Sequence, residues 1–194
     1  MTPGDASIPG TPPDDAPAPM AAPSLSTPSV VPSAALAPVE PALLEAWMRE
    51  ALAEAAQAAA QGEAPVGCVI HDAQGRPMAR ARDARQGGAD PMAHAECLAL
   101  RQAGALQGDW RLDGMTLVVT LEPCPMCAGA ILMARVGRVV FGAPSPKWGA
   151  AGSRADWLGS GVFPHRPQVI GGVLAEACGR LLGDYFKSLR QDRQ

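Results

Sequence analysis

No stretch of this sequence approaches the roughly 18 to 20 consecutive apolar residues that a membrane-spanning helix needs. The first residues also lack a basic segment followed by an apolar run, so no secretory leader is expected and a cytoplasmic location is. Residues 1–40 contain no lysine or arginine. No internal repeat is visible, which argues against solenoids and propellers. No strong charge excess is present either. The formal net charge is -3, with Asp5, Asp14, Asp15 and Glu40 in the first 40 residues. The other 15 acidic residues face 16 basic ones, so bulk charge alone does not announce a nucleic-acid binder.

What the first 40 residues do contain is 10 of the 20 prolines, among Ala, Ser, Thr and Asp. Little there can offset the entropy of ordering a backbone, so residues 1–40 read as a disordered tail. A proline-rich docking segment is the other reading of the same composition. Residues 41–194 are long enough for one domain with its own core. Cysteine is present in an odd number, five, and two of the five have Cys-x-x-Cys spacing. Without an export signal this favours a metal site over a disulfide framework. Cys68, Cys97 and Cys178 fall on apolar patterns and read as core; His71 and His165 have no partner pattern.

Leu43, Leu44, Trp47, Met48, Ala51, Leu52 and Ala55 recur at helical spacing, with Pro41 suited to the first turn and Gly62 to the stop. Residues 65–71 have a buried-strand pattern, residues 72–76 a turn, and residues 77–82 a second strand. A loop is expected over 83–93, a helix over 94–104, a strand over 115–120, a helix over 125–134 and a strand over 136–142. Residues 143–164, rich in Gly, Pro and Trp, read as a long loop. A fifth strand over 168–173 and a helix over 174–190 close the chain. Strands alternating with helices predict an α/β fold, a three-layer α/β/α sandwich around one mixed five-stranded sheet.

Two short segments carry chemistry: His94-Ala-Glu96 and Pro123-Cys-Pro-Met-Cys127. Cys124 and Cys127, three apart at the start of an expected helix, project from one side of its first turn. A helix N-terminus favours thiolates. With His94 at the start of another helix, one imidazole and two thiolates make three ligands suited to zinc. Structural zinc sites usually close with four protein ligands; three leave a position for water, the catalytic pattern. Glu96 lies two residues past the histidine, within reach of that open position. A carboxylate there can take a proton from the water and deliver it to a ring nitrogen and then to departing ammonia. Alone, Cys-x-x-Cys also fits a redox pair or half a zinc finger, and His-x-Glu alone is noise. The combination, about 30 residues apart, is the signature of the zinc nucleobase deaminases.

Asp90-Pro-Met-Ala-His-Ala-Glu96, Leu121-Glu-Pro-Cys-Pro-Met-Cys-Ala-Gly-Ala130 and Val136-Gly-Arg-Val-Val-Phe-Gly142 resemble the bacterial tRNA adenosine deaminases. So do Gly149-Ala-Ala-Gly-Ser153 and Leu181-Leu-Gly-Asp-Tyr-Phe186; the resemblance spans residues 42–191. Cytidine and guanine deaminases share the zinc motifs, so a deaminase of free guanine or cytosine compounds is the alternative. The resemblance implies a cytidine-deaminase-like fold and one zinc per subunit, held by His94, Cys124 and Cys127. It implies Glu96 as proton shuttle, with the Ala95 and Cys127 amides flanking the reacting carbon. Glu63 and Val66 match the first strand lining the pocket, and Phe186 an aromatic that meets the anticodon loop. Lys147 and Arg190 sit where basic residues touch phosphate. The implied assembly is a homodimer. The implied substrate is the wobble adenosine of a tRNA anticodon stem-loop, that of tRNA-Arg(ACG). Two positions depart from the family pattern. Asp83 stands where an Asn usually reads the base, and an ionised Asp can only accept hydrogen bonds. Ser145 stands where an Asp often contacts the target's sugar.

Overall fold

The computed structural model of the protein describes residues 36–191. The first helix, α1 (Pro41–Ala60), begins with proline in its first turn, where the missing N–H has no partner to lose. Leu44, Trp47, Met48, Ala51, Ala55 and Ala58 form its buried stripe, while Leu43 is exposed. The chain turns at Gly62, with φ of 79°. Two antiparallel strands follow, β1 (Gly67–His71) and β2 (Pro77–Arg82).

The expected loop after β2 contains one helical turn, α2 (Arg85–Gly88). Then come α3 (Ala95–Gln107), β3 (Thr116–Leu121), α4 (Pro125–Met133), β4 (Arg138–Ala143), β5 (Gln168–Gly171) and α5 (Ala175–Gln191). Helix α3 runs through Gly104, the expected stop, and ends where Gly108 takes the left-handed conformation with φ of 72°. No helix among the described residues is long and apolar enough to cross a membrane.

The sheet is mixed, five-stranded and ordered β2-β1-β3-β4-β5. β1 is antiparallel to both neighbours, whereas β3, β4 and β5 run parallel. Both faces are covered, so the middles of the central strands are apolar runs, with buried polar residues (His71, Thr116, Thr120, Arg138) near their ends. Alternate residues instead serve two cores. Cys68, Ile70, Leu117, Val119, Val139 and Phe141 pack with α3 and α4. Val69, Val118 and Val140 pack with α1 and α5. Gly67 lets α1 lie directly on β1, since a Cβ there would collide with the Ala51 carbonyl. The connection from β4 to β5, residues 144–167, contains no helix; its Leu158 and Phe163 pack into the α3–α4 core.

The proline-rich tail read from the sequence lies outside the described residues up to residue 35. Residues 36–40 are described, and the buried Arg138 guanidinium donates to the Ala37 carbonyl (2.6 Å) as well as to Gln168 Oε1 (2.8 Å) and Thr116 Oγ1 (3.3 Å). His71 and His165 are both buried. His71 stacks on Trp47 with ring centroids 4.4 Å apart, and His165 Nε2 donates to the Val136 carbonyl (2.7 Å).

Candidate metal centre

Helices α3 and α4 both begin beneath the same end of the sheet, and each delivers metal-binding chemistry at its N-terminus. His94 is the residue capping α3, and Cys124 caps α4; both have extended backbones and neither side chain bonds back to its helix. Their side chains are therefore free to meet across the gap. His94 Nδ1 lies 3.7 Å from Cys124 Sγ and 3.5 Å from Cys127 Sγ. All three ligand atoms lie within 4.8 Å of one another, the separation a shared ion requires. A tetrahedral zinc with ordinary Zn–S and Zn–N bonds sets nitrogen and sulfur about 3.6 Å apart. The residues present fit zinc, and they leave its fourth position to solvent or substrate.

The electrostatics suit this use. Cys127 donates its proton to Cys124, which together with His94 holds Cys124 down to about 4. The same pairing, with Cys97 and burial adding to it, pushes Cys127 upward. A bound cation takes over the role of that shared proton. Glu96, in the first turn of α3, is 4% exposed. Burial, reinforced by the nearby Cys124 sulfur, pushes its carboxyl up to about 7. A group so placed can both accept and return a proton near neutral pH.

The other residues singled out from the sequence, Ala95 apart, fall on three parts of the fold: the ends of β1 and β2, the β4–β5 connection and α5. Ala95 is fully buried in the first turn of α3. Val66 and Asp83 lie just beyond the ends of β1 and β2, joined by Asp83 N–H to Val66 O (3.0 Å). The next residue, Ala84, donates to Ala93 O (3.0 Å), which ties this strand end to the segment entering His94. Asp83 is buried and accepts Arg85 Nε on both oxygens, at 3.0 and 2.9 Å. Buried Glu63 accepts the N–H groups of Gly87 (2.6 Å) and Gln86 (3.0 Å), and so holds α2 in place. Burial pushes its carboxyl up, but these donors and Arg85 outweigh it and hold Glu63 below the ordinary carboxylate value.

Lys147 and half-exposed Ser145 lie on the β4–β5 connection, while Phe186 and Arg190 stand exposed on α5. The last turns of α5 are linked to the turn after α1 by Tyr185, whose hydroxyl donates to Gly62 O (2.7 Å).

Sequence reasoning passed over Glu122. It is buried directly before the Pro-Cys pair and gathers three backbone N–H groups of the distant connection: Ser145 (2.8 Å), Ala151 (3.0 Å) and Ser153 (2.9 Å). Ala150 N–H donates to Pro123 O (2.8 Å) beside it. The one available signal is an acid in an otherwise apolar run. Cys97 also departs from expectation. Cys68 and Cys178 are buried as read, but Cys97 is half-exposed, with its sulfur 3.9 Å from that of Cys127. It faces an apolar groove between α3 and α4, and helical spacing did not reveal which side of α3 remains open.

Residues 41–143 match the cytidine and deoxycytidylate deaminase zinc-binding region. The tRNA-specific adenosine deaminase of Bacillus subtilis is 45% identical over 138 residues, 71% of this chain and 85% of that protein. A chain from structural studies of A-to-I editing by tRNA:A34 deaminases at the wobble position of transfer RNA is 38% identical, with TM-score 0.68. That match covers 71% of this chain and 99% of that one. The guanine deaminase of Nitrosomonas europaea is similar at 26% identity and TM-score 0.65, over 73% of this chain and 83% of that one. With half the chain inside the zinc-binding region and nearly all of a wobble deaminase chain matched in three dimensions, this chain belongs to the cytidine and deoxycytidylate deaminase zinc-binding family, among its tRNA-specific adenosine deaminases.

Proposed function

We propose that the protein converts adenosine to inosine at the wobble position of tRNA, with tRNA-Arg(ACG) as the substrate. The observation that carries the reading is the three-ligand centre with an open fourth position and a buried carboxyl beside it. His94, Cys124 and Cys127 would hold zinc, which supplies Lewis acidity toward a water molecule. Glu96 accepts the proton that the water gives up as its oxygen adds to C6 of the base. Glu96 delivers that proton to the ring nitrogen, then takes the remaining proton from the added hydroxyl and passes it to the departing amine, so that the carbonyl forms as the C–N bond breaks and ammonia leaves. Buried surroundings suit Glu96 to these transfers because they keep it from remaining permanently ionised. Ala95 and the Cys127 backbone, at two helix N-termini, face developing negative charge with the positive ends of both dipoles.

The strand ends, the β4–β5 connection and α5 supply the substrate contacts. Val66, Glu63 and Asp83 line the base pocket, while Ser145 faces the ribose. Lys147, Phe186 and Arg190 meet the anticodon loop. Its bases are already unpaired, so presenting one to a pocket costs little. The working unit is a homodimer located in the cytoplasm. The groove beside Cys97 supports this assembly, because exposed Trp110, Met133 and Met92 give it an apolar lining next to the metal centre. Sedimentation should give twice the chain mass.

The test is to incubate the protein with unmodified tRNA transcripts and sequence them. Adenosine read as guanosine at the first anticodon base, in tRNA-Arg(ACG), is the expected result. Ammonia released from free guanine or cytosine, with the tRNA unchanged, would overturn the reading in favour of a free-base deaminase.

A further inference from the structure

Trp148 is a large apolar side chain left 67% exposed on an otherwise firmly held segment. The backbone on both sides of it is pinned. Pro144 and Pro146 restrict the approach. Gly149 N–H donates to Ser145 O (2.7 Å) and closes a tight turn over Pro146, Lys147 and Trp148. Glu122 holds Ser145 before this turn and Ala151 after it. A Cβ at Gly149 would run into the Glu122 carboxylate, so the turn is pressed against its anchor. The indole is thus carried outward on a rigid base, and little entropy remains to be lost when something binds it.

Its neighbours say what that something is. Lys147 precedes it and is exposed. Arg154, also exposed, is folded back beside the turn by its own N–H to Gly149 O (3.1 Å). Neither cation pairs with a carboxylate among the described residues. The other strongly exposed indole, Trp110, differs in this respect. The Arg111 guanidinium beside it is neutralised by Asp113 at 2.8 Å, and it lies on the apolar groove. An exposed aromatic on a turn that also carries two unpaired cations is the arrangement that takes a base by stacking while the flanking phosphates meet the charges. The turn is also close to the chemistry. It leaves β4 at Ala143, which pairs with Leu121 three residues before Cys124.

We propose that Trp148, with Lys147 and Arg154 near it, is a stacking platform for an unpaired base next to the target nucleotide. This rests on the reading that the substrate is an RNA loop. The proposal concerns binding, so replacing the indole weakens capture of the loop and leaves the chemical step alone.

The experiment compares zinc-loaded wild type, Trp148→Ala and Trp148→Phe on an anticodon stem-loop. It is repeated on two stem-loops carrying an abasic site immediately 5′ or immediately 3′ of the target. With intact RNA, Trp148→Ala should raise KM by about 5- to 150-fold, the worth of one base stacked on an aromatic side chain, and keep kcat within about twofold. Trp148→Phe should retain most of the affinity. On one of the two abasic loops the penalty of Trp148→Ala should disappear. An unchanged KM, or an equal penalty on all three RNAs, would overturn the proposal while leaving the deaminase reading intact. A wild-type protein inactive on the intact loop would overturn that reading and the platform with it.

Discussion

Glu96 and Glu122 are both buried carboxyl groups close to the metal centre, and they are asked to do opposite things. In the proposed mechanism Glu96 changes protonation during turnover; Glu122 has no such part, and its charge is spent on three backbone donors. Glu96→Ala should keep zinc and the native melting temperature but lose deamination by at least the roughly 10²- to 10⁴-fold that proton transfer contributes. Single-turnover rates beside metal analysis test this, and a rate within about threefold of wild type would refute it. Glu122→Gln replaces one acceptor oxygen with an amide NH2, a donor that must face an N–H group. Leaving a buried donor without a partner costs about 1–3 kcal/mol, which lowers Tm by about 3–10 °C in a chain of this size. Calorimetry of the zinc-loaded variant should show that drop. These two residues also mark what could be read in advance. The role proposed for Glu96 rests on its spacing to His94, a property of the sequence. The role of Glu122 depends on amides more than twenty residues away, which no local pattern contains.

Among the helices, the shortest was the one missed. Four residues of α2 are too few to show periodicity, and two are glycine, so residues 83–93 read as loop. Glu63 supplies what the local sequence lacks, by accepting two of the helix's backbone N–H groups. Its carboxyl is held below the ordinary value in the folded state, so it stabilises the protein above the unfolded pKa near 4.5. That contribution is lost as pH falls through the lower, folded value. Glu63→Gln should therefore melt below wild type at pH 7, and the gap should close on acidification below pH 4.5. Thermal melts of both proteins across that range check the sign. A gap that widens in acid would contradict the assignment. The longer elements were legible because burial on two faces leaves unbroken apolar strands, and because helices α1, α3 and α4 carry their stripes at regular spacing. Their ends shifted where capping decided the boundary. Gly104 read as the stop of α3, but Gly108 is the residue that adopts the left-handed turn.

At the scale of the molecule, residues 36–40 make contacts that composition does not announce. Composition placed the edge at residue 41, yet Arg138 reaches back to Ala37 and the partly buried Val39 packs beside α1. Removal of residues 1–35 should leave Tm and editing nearly unchanged. Removal of residues 1–40 should cost a further 1–3 kcal/mol, because a buried guanidinium then loses an acceptor. Parallel melts of the two truncated proteins separate these outcomes, and identical melts would show that the Ala37 contact contributes nothing.

The connection between β4 and β5 has a consequence for how such a protein can diversify. Parallel neighbours are usually joined through a helix, whose length and packing would fix the intervening residues. Here residues 144–167 are irregular, and their first part, residues 145–153, is fastened to the domain through its backbone, by Glu122 and the Pro123 carbonyl. Backbone fastening is indifferent to most side chains. Point mutations can therefore accumulate on the exposed turn, at Ser145, Lys147 or Trp148, without retuning the helices that carry the metal ligands. The metal ligands stay with the two helix ends, while the exposed turn of this tethered ribbon is free to change its chemistry.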